Sequence, residues 1–251
     1  MSDYLKRHCI VFLFLISFAA VKGQTTKVSS NDGIWQDYGA PVSAKTYHVF
    51  HGRLVNVNWS DIETSPNNWN WTIFDSDVNQ HIADNMPVII LVYTGPNAPN
   101  WLYSNGIPQV NATDSSGNVI AYSPYYLDSN YNNYFKRMIT NVSQHIQSYT
   151  SSTRNLIIGI QGCYGSTGDP IAYKGAVPPQ YQISLAQFDS LFKVYSLYYY
   201  NQYQALMPPI TLLSNPSTAD STETYWLMQA PARRPRRGRF ASRFASLANG
   251  N

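Results

Sequence analysis

Two hydrophobic rhythms alternate along this chain. Residues 53–59 (RLVNVNW) set apolar and polar side chains in turn and include β-branched residues, which predicts a strand. Residues 71–85 carry Ile73, Val78 and Ile82 on one side at helical spacing, with Asn70 placed to cap the first turn. A continuous apolar run at 87–93 (PVIILVY), bounded by Pro87 and Gly95, suits a strand covered on both faces. Residues 131–149 repeat Phe135, Met138, Ile139, Val142 and Ile146 at helical spacing and predict an amphipathic helix. Further strands are expected at 156–160 and 210–213, a long tyrosine-rich helix at 185–207 and a weak one at 222–229. Between these, residues 24–45 read as an irregular lead-in and 94–130 and 162–182 as loops. A loop as long as 94–130 inside a compact domain is usually functional.

Strands alternating with helices imply βαβ units and a parallel sheet with right-handed crossovers. Two architectures satisfy that pattern, a barrel or an open doubly wound sheet. No G-x-G-x-x-G or Walker sequence follows a strand, so no nucleotide site is expected. No other cofactor and no metal site is expected either.

The N-terminus bears on compartment. Lys6 and Arg7 precede an apolar run from Ile10 to Val21, and small residues close it at Gly23. This is the three-part pattern of a secretory signal peptide over residues 1–23, and the run is short of the roughly 20 residues that span a bilayer. A secreted chain starting near Gln24, free of the membrane, is expected. Four N-x-S/T sequons, at Asn58, Asn70, Asn111 and Asn141, are candidate glycan acceptors in a secretory lumen. Cys9 leaves with the signal, so Cys163 has no disulfide partner and is expected as a packed free thiol.

The formal charge of +3 hides two opposed regions. Six arginines fall in residues 233–251, whereas residues 24–232 hold eight basic and thirteen acidic side chains, a net of −5. An acidic body argues against a nucleic-acid partner. The stretch 230–251, with Arg-Phe-Ala-Ser twice in succession, lacks any period and is expected to be a basic disordered tail. Polyanion contact by that tail ranks below plain disorder. The body, residues 24–229, is expected to be one domain.

In a barrel the ligand face lies at the carboxyl ends of the strands. Those ends offer Asn58, Trp59 and Asp61, then Tyr93 and Trp101, then Gln161, Tyr164 and Asp169. Aromatic faces pack on pyranose C–H surfaces and amides bond hydroxyls, so this set suits carbohydrate. Trp59 and Trp101 read equally well as core or rim residues.

Residues 55–75 (VNVNWSDIETSPNNWNWTIFD) and 87–102 (PVIILVYTGPNAPNWL) resemble two consecutive strand segments of β-galactosidase-like glycoside hydrolases of clan A. Residues 131–146 (YNNYFKRMITNVSQHI) and 156–169 (LIIGIQGCYGSTGD) are similar to the helix and strand that bring in the acid/base of that family. The resemblance implies an α/β, (β/α)8 TIM-barrel-like fold, incomplete in this chain, and hydrolysis of O-glycosidic bonds by two carboxyl groups. It also implies an acid/base in the 162–169 segment. There this chain has Asp169 and no Glu; only Glu63 and Glu223 occur in the whole sequence. Asp169 is thus the candidate acid/base, with Asp61 a weaker partner, while Glu63 is read as an anchor of the loop after the first strand. Roughly four or five strand–helix units are legible, so the later strand that carries the family's nucleophile is expected to be missing and activity impaired. The alternative is a secreted carbohydrate-binding protein without catalysis.

Overall fold

Six extended segments pair side by side, each parallel to the next. The computed structural model describes residues 34–36, 50–83, 85–166, 171–208, 210–214 and 240–242, all within the unit Gly33–Asn251. In chain order the elements are β1 (Ile34–Gln36), β2 (Phe50–Asn58), α1 (Trp59–Ile62), β3 (Glu63–Ser65), β4 (Asn68–Trp69), α2 (Thr72–Ile82), β5 (Val88–Tyr93) and α3 (Trp101–Ser104). There follow β6 (Gln109–Thr113), β7 (Val119–Pro124), α4 (Ser129–Ser148), α5 (Ser151–Leu156), β8 (Ile157–Gln161), α6 (Leu185–Gln204), β9 (Thr211–Ser214) and β10 (Phe240–Ser242).

The main sheet runs β1-β2-β5-β8-β9-β10. Every strand lies beside its predecessor in this sheet, and the order never reverses. A doubly wound sheet reverses at a switch point; a (β/α) barrel winds in one direction. The winding is therefore that of a barrel, and among the described residues the sheet stays open, with β1 and β10 as its edges.

Strand alternation divides the sheet into two faces. Val55 and Val57 of β2, Val88, Ile90 and Val92 of β5, Ile160 of β8 and Leu212 of β9 turn toward the helices. There they meet Phe74 and Val78 of α2, the apolar stripe of α4, and Phe192, Tyr195 and Tyr199 of α6. Phe135 and Tyr195 join α4 to α6 edge to face, with ring centroids 4.5 Å apart. Burying each large apolar side chain contributes about 1.5–3 kcal/mol, so this helix-covered face dominates stability. Caps fix where the helices begin. The Asp128 carboxylate accepts the Asn130 and Tyr131 N–H groups at 2.8 and 2.9 Å, and Ser184 with Gln187 forms a capping box on α6. Asn70 accepts from the Thr72 N–H at 3.1 Å, at the entry to α2.

Three expectations change. The lead-in is not wholly irregular, because β1 pairs with β2 and Trp35 lies over Gly52, where a Cβ would overlap its ring. The stretch 94–130 holds α3 and a β6–β7 hairpin. Its turn is closed by Asp114, whose carboxylate accepts the Ser116 and Asn118 N–H groups, both at 2.9 Å. Such side-chain-closed turns join strands too short to show a clear period. Finally, Phe240–Ser242 within the arginine-rich stretch pairs parallel with β9, whose outer edge otherwise presents open backbone donors and acceptors. The signal segment 1–23, the helix expected at 222–229 and the rest of the tail lie outside the described residues. Among the described residues no helix is long and apolar enough to cross a membrane.

Candidate functional site

The register of the parallel strands assembles the site. Asn58, the last residue of β2, stands opposite Tyr93, the last of β5, and Leu91 stands opposite Gln161, the last of β8. Leu91 and Tyr93 are two residues apart, so Asn58, Tyr93 and Gln161 project from one face. It is the face turned away from the helix-packed core. Asn56, opposite Leu91, and Leu213, opposite Gln161, extend it. All five side chains are half-buried, so part of each remains within reach of solvent and small molecules.

The rim is built from the turns that leave these strands. The Asn58 amide donates to the Asp61 carboxylate at 2.8 Å, which fixes Asp61 beside the end of β2. Thr94, fully buried after β5, donates through Oγ1 toward the Cys163 carbonyl and sulfur at 3.3 and 3.2 Å. This contact ties the ends of β5 and β8 together, and Cys163 is buried and in no disulfide. Gly95 completes the junction: its φ is +60°, and a Cβ there would press on the Gly165 carbonyl oxygen and the Tyr126 hydroxyl.

Glu63 is the organising carboxylate next to this rim. It is fully buried. Its oxygens accept the Trp59 indole N–H at 2.9 Å, the Asn67 backbone N–H at 2.9 Å, and the guanidinium of Arg137 from α4. Its own carbonyl accepts the Trp101 indole N–H at 2.9 Å. Arg137 also lies 4.9 Å from the Tyr134 ring centre and 5.5 Å from that of Trp101. A carboxylate with three donors, one of them a paired cation, is a structural anchor, in keeping with the role read for it in the loop after the first strand.

The remaining candidates separate accordingly. Trp59 is fully buried, tilted against Tyr131 and Phe135, and belongs to the core rather than the ligand face. Tyr164 likewise turns to α6: it accepts from the Ser196 hydroxyl at 3.1 Å and packs edge-on to Phe192 and Tyr199. Trp101 is half-buried, held edge-on to Trp59 and Tyr134 at 6.4 and 5.1 Å. Asp169 lies outside the described residues. Arg137 was not legible as part of this cluster. Its only local signal is Tyr134 three residues earlier, a spacing that puts both on one helix face.

Burial sets the electrostatics around the rim. Desolvation pushes the Tyr103 phenol up to about 12 and drives those of Tyr126 and Tyr173 upward too. These phenols are neutral hydrogen-bonding groups at neutral pH. Among the described residues no three His, Cys, Asp or Glu side chains converge as a metal site would require.

No family model matches this chain, and no curated protein matches it in sequence. Solved structures similar to it include a β-amylase, a xylanase and β-galactosidases. The catalytic domain of β-amylase from Paenibacillus polymyxa is 14% identical over 72% of this chain and 49% of its own, with a TM-score of 0.44. TsXylA, an intracellular xylanase from Thermoanaerobacterium saccharolyticum, is 16% identical over 80% of this chain and 60% of its own, TM-score 0.46. A β-galactosidase from Bacillus circulans sp. alkalophilus is 12% identical over 74% of this chain and 38% of its own, TM-score 0.47. The chain thus spans less than two thirds of each of these proteins.

Proposed function

We propose that this chain is a secreted glycoside hydrolase-like protein that takes carbohydrate on the carboxyl-end face of β2, β5 and β8. The observation that carries the reading is the register that sets Asn58, Tyr93 and Gln161 on one half-buried face. Two amides and a phenol on one half-buried face match the alternating hydroxyls and C–H faces of a sugar ring. Asp61, bonded to Asn58 at the end of β2, is the candidate to protonate or orient a bound glycoside. Cleavage of a glycosidic bond normally uses two carboxyl groups, roughly 5–5.5 Å apart for retention or 6.5–9.5 Å for inversion. Glu63 is already committed to Arg137 and Trp59, and the second candidate is Asp169. Turnover by this chain is therefore proposed to be weak. The same commitment of Glu63 favours the second reading, carbohydrate binding without cleavage.

The deciding experiment assays the full chain for hydrolysis of a panel of aryl glycosides and for retention on immobilised oligosaccharides. Turnover abolished by Asp61→Asn and by Asp169→Asn supports the hydrolase. Retention without turnover, lost on Tyr93→Ala, supports the binding protein. Neither retention nor turnover across the panel overturns the carbohydrate reading.

A further inference from the structure

The outer face of the β6–β7 hairpin is unusually apolar for an exposed surface. Tyr122 is 52% exposed, Ile120 54% and Val119 42%. The hairpin is anchored rather than loose. Val110 and Ala112 are buried beneath it, and Thr113 exchanges two backbone hydrogen bonds with Ala176, at 2.8 and 2.9 Å. A well-ordered patch of this kind calls for a cover.

The cover is written into the opposite strand. Asn111, first residue of the sequon Asn111-Ala112-Thr113, is exposed and stands directly opposite Tyr122 in the antiparallel register. Directly paired residues project from the same face with Cβ atoms about 4.5–5.5 Å apart. The other sequons lack this arrangement. The Asn58 amide nitrogen is engaged by Asp61 and that of Asn141 by the Arg137 carbonyl at 2.9 Å. Asn70 is exposed, but its oxygen is turned to the Thr72 N–H. Among the described residues no hydrogen bond engages the Asn111 side chain.

We propose that Asn111 carries an N-linked glycan whose first sugar packs its C–H face on the ring of Tyr122 and covers the hairpin patch. The modification forms a bond between Asn111 Nδ2 and the anomeric carbon of a lipid-diphosphate-linked oligosaccharide. The anomeric C–O bond breaks, its electron pair leaves with the lipid diphosphate, and one amide proton is released. A sugar on an aromatic face gains from dispersion and from removing apolar surface from water. The glycan is thus a structural part of the hairpin. This proposal rests on the secretory reading of residues 1–23.

The test expresses the full chain in a eukaryotic secretory cell and maps each sequon by mass spectrometry, before and after enzymatic deglycosylation that converts the modified Asn to Asp. Thermal melting is then compared for the wild type, Thr113→Ala, Thr113→Ser, Tyr122→Ala and the Thr113→Ala/Tyr122→Ala pair. The expected result is a glycan on Asn111 and a Tm lower by about 2–4 °C in Thr113→Ala. Thr113→Ser, which keeps the sequon, should retain both glycan and Tm. Tyr122→Ala should lower Tm in the glycosylated chain and add little once the sequon is gone. Glycans elsewhere with Asn111 bare overturn this proposal alone. A chain bare at all four sequons overturns the secretory reading with it. Additive effects of Thr113→Ala and Tyr122→Ala show that the glycan does not pack on the ring.

Discussion

Arg137 on α4 pairs with Glu63, 74 residues earlier in the chain, at the start of the β3–β4 hairpin. The Glu63 side chain is 0% exposed and that of Arg137 24%. One contact thus holds the turn after the first site strand against the helix that follows the second. Removing one partner from a buried pair leaves an uncompensated charge, which costs about 3–5 kcal/mol. Against a total stability of about 5–15 kcal/mol, Glu63→Ala is expected to unfold the chain or lower its denaturant midpoint severely. Glu63→Gln keeps an acceptor for the Trp59 indole and should cost less. Chemical denaturation of the two variants checks the order. Equal small losses would assign Glu63 a role outside the anchor.

Trp101 tests the boundary between core and site. Its indole donates to the Glu63 carbonyl and its ring lies edge-on to Trp59 and Tyr134. Trp101→Ala is expected to cost about 2–3 kcal/mol, below the range for a fully buried tryptophan because the ring is half-buried. Trp101→Phe, which loses the hydrogen bond and keeps most packing, should cost about 1 kcal/mol. Melting curves and oligosaccharide affinity, measured together, separate the roles. A cooperative, undiminished Tm with lost affinity would make Trp101 a ligand platform instead.

Tyr93 and Asn58 should behave in the opposite way. Both sit half-buried on the face away from the core, so Tyr93→Ala and Asn58→Ala should leave the fold cooperative. Loss of a ring–sugar contact of about 1.4 kcal/mol weakens binding about tenfold. Titration calorimetry with the best oligosaccharide from the retention assay reads this directly. Unchanged affinity in both variants would remove this face from the site.

Alkaline pH should unfold the protein cooperatively. Burial raises the Tyr103 phenol to about 12 and drives Tyr126, Tyr131, Tyr195, Tyr199 and Tyr203 above their ordinary value as well. Below pH 10 these phenols are neutral in folded and unfolded chains alike, and nothing is lost. Above about pH 10 the unfolded chain releases phenolic protons that the folded chain retains, so stability falls as pH rises from about 10 toward 12. Phenolate absorbance should therefore rise in two phases, exposed tyrosines first and the buried set with unfolding. A single smooth titration near pH 10 with the fold intact would contradict the burial of these rings.

Much of the architecture was legible because it is written in local periods. The run at 87–93 had no polar face to offer solvent, and the stripe from Phe135 to Ile146 repeats once per helical turn. These patterns therefore fixed β5 and α4 within one or two residues. That Cys163 is packed and outside any disulfide followed from counting cysteines. The β6–β7 hairpin and β1 escaped notice. Strands of three to six residues have no period long enough to read, and their stability comes from a partner elsewhere in the chain.

The site divides along the same line. The sequence by itself named the strand ends and their amides, aromatics and carboxylates, since residue type and local period depend only on neighbours along the chain. Tertiary structure decided which of them share a surface. Inter-strand register put Asn58 with Tyr93 and Gln161, and packing of α1 against α4 took Trp59 into the core. A helix 74 residues away supplied the cation that made Glu63 an anchor. Register and long-range ion pairing are set by the packing of whole elements against one another, and no window along the chain contains both partners.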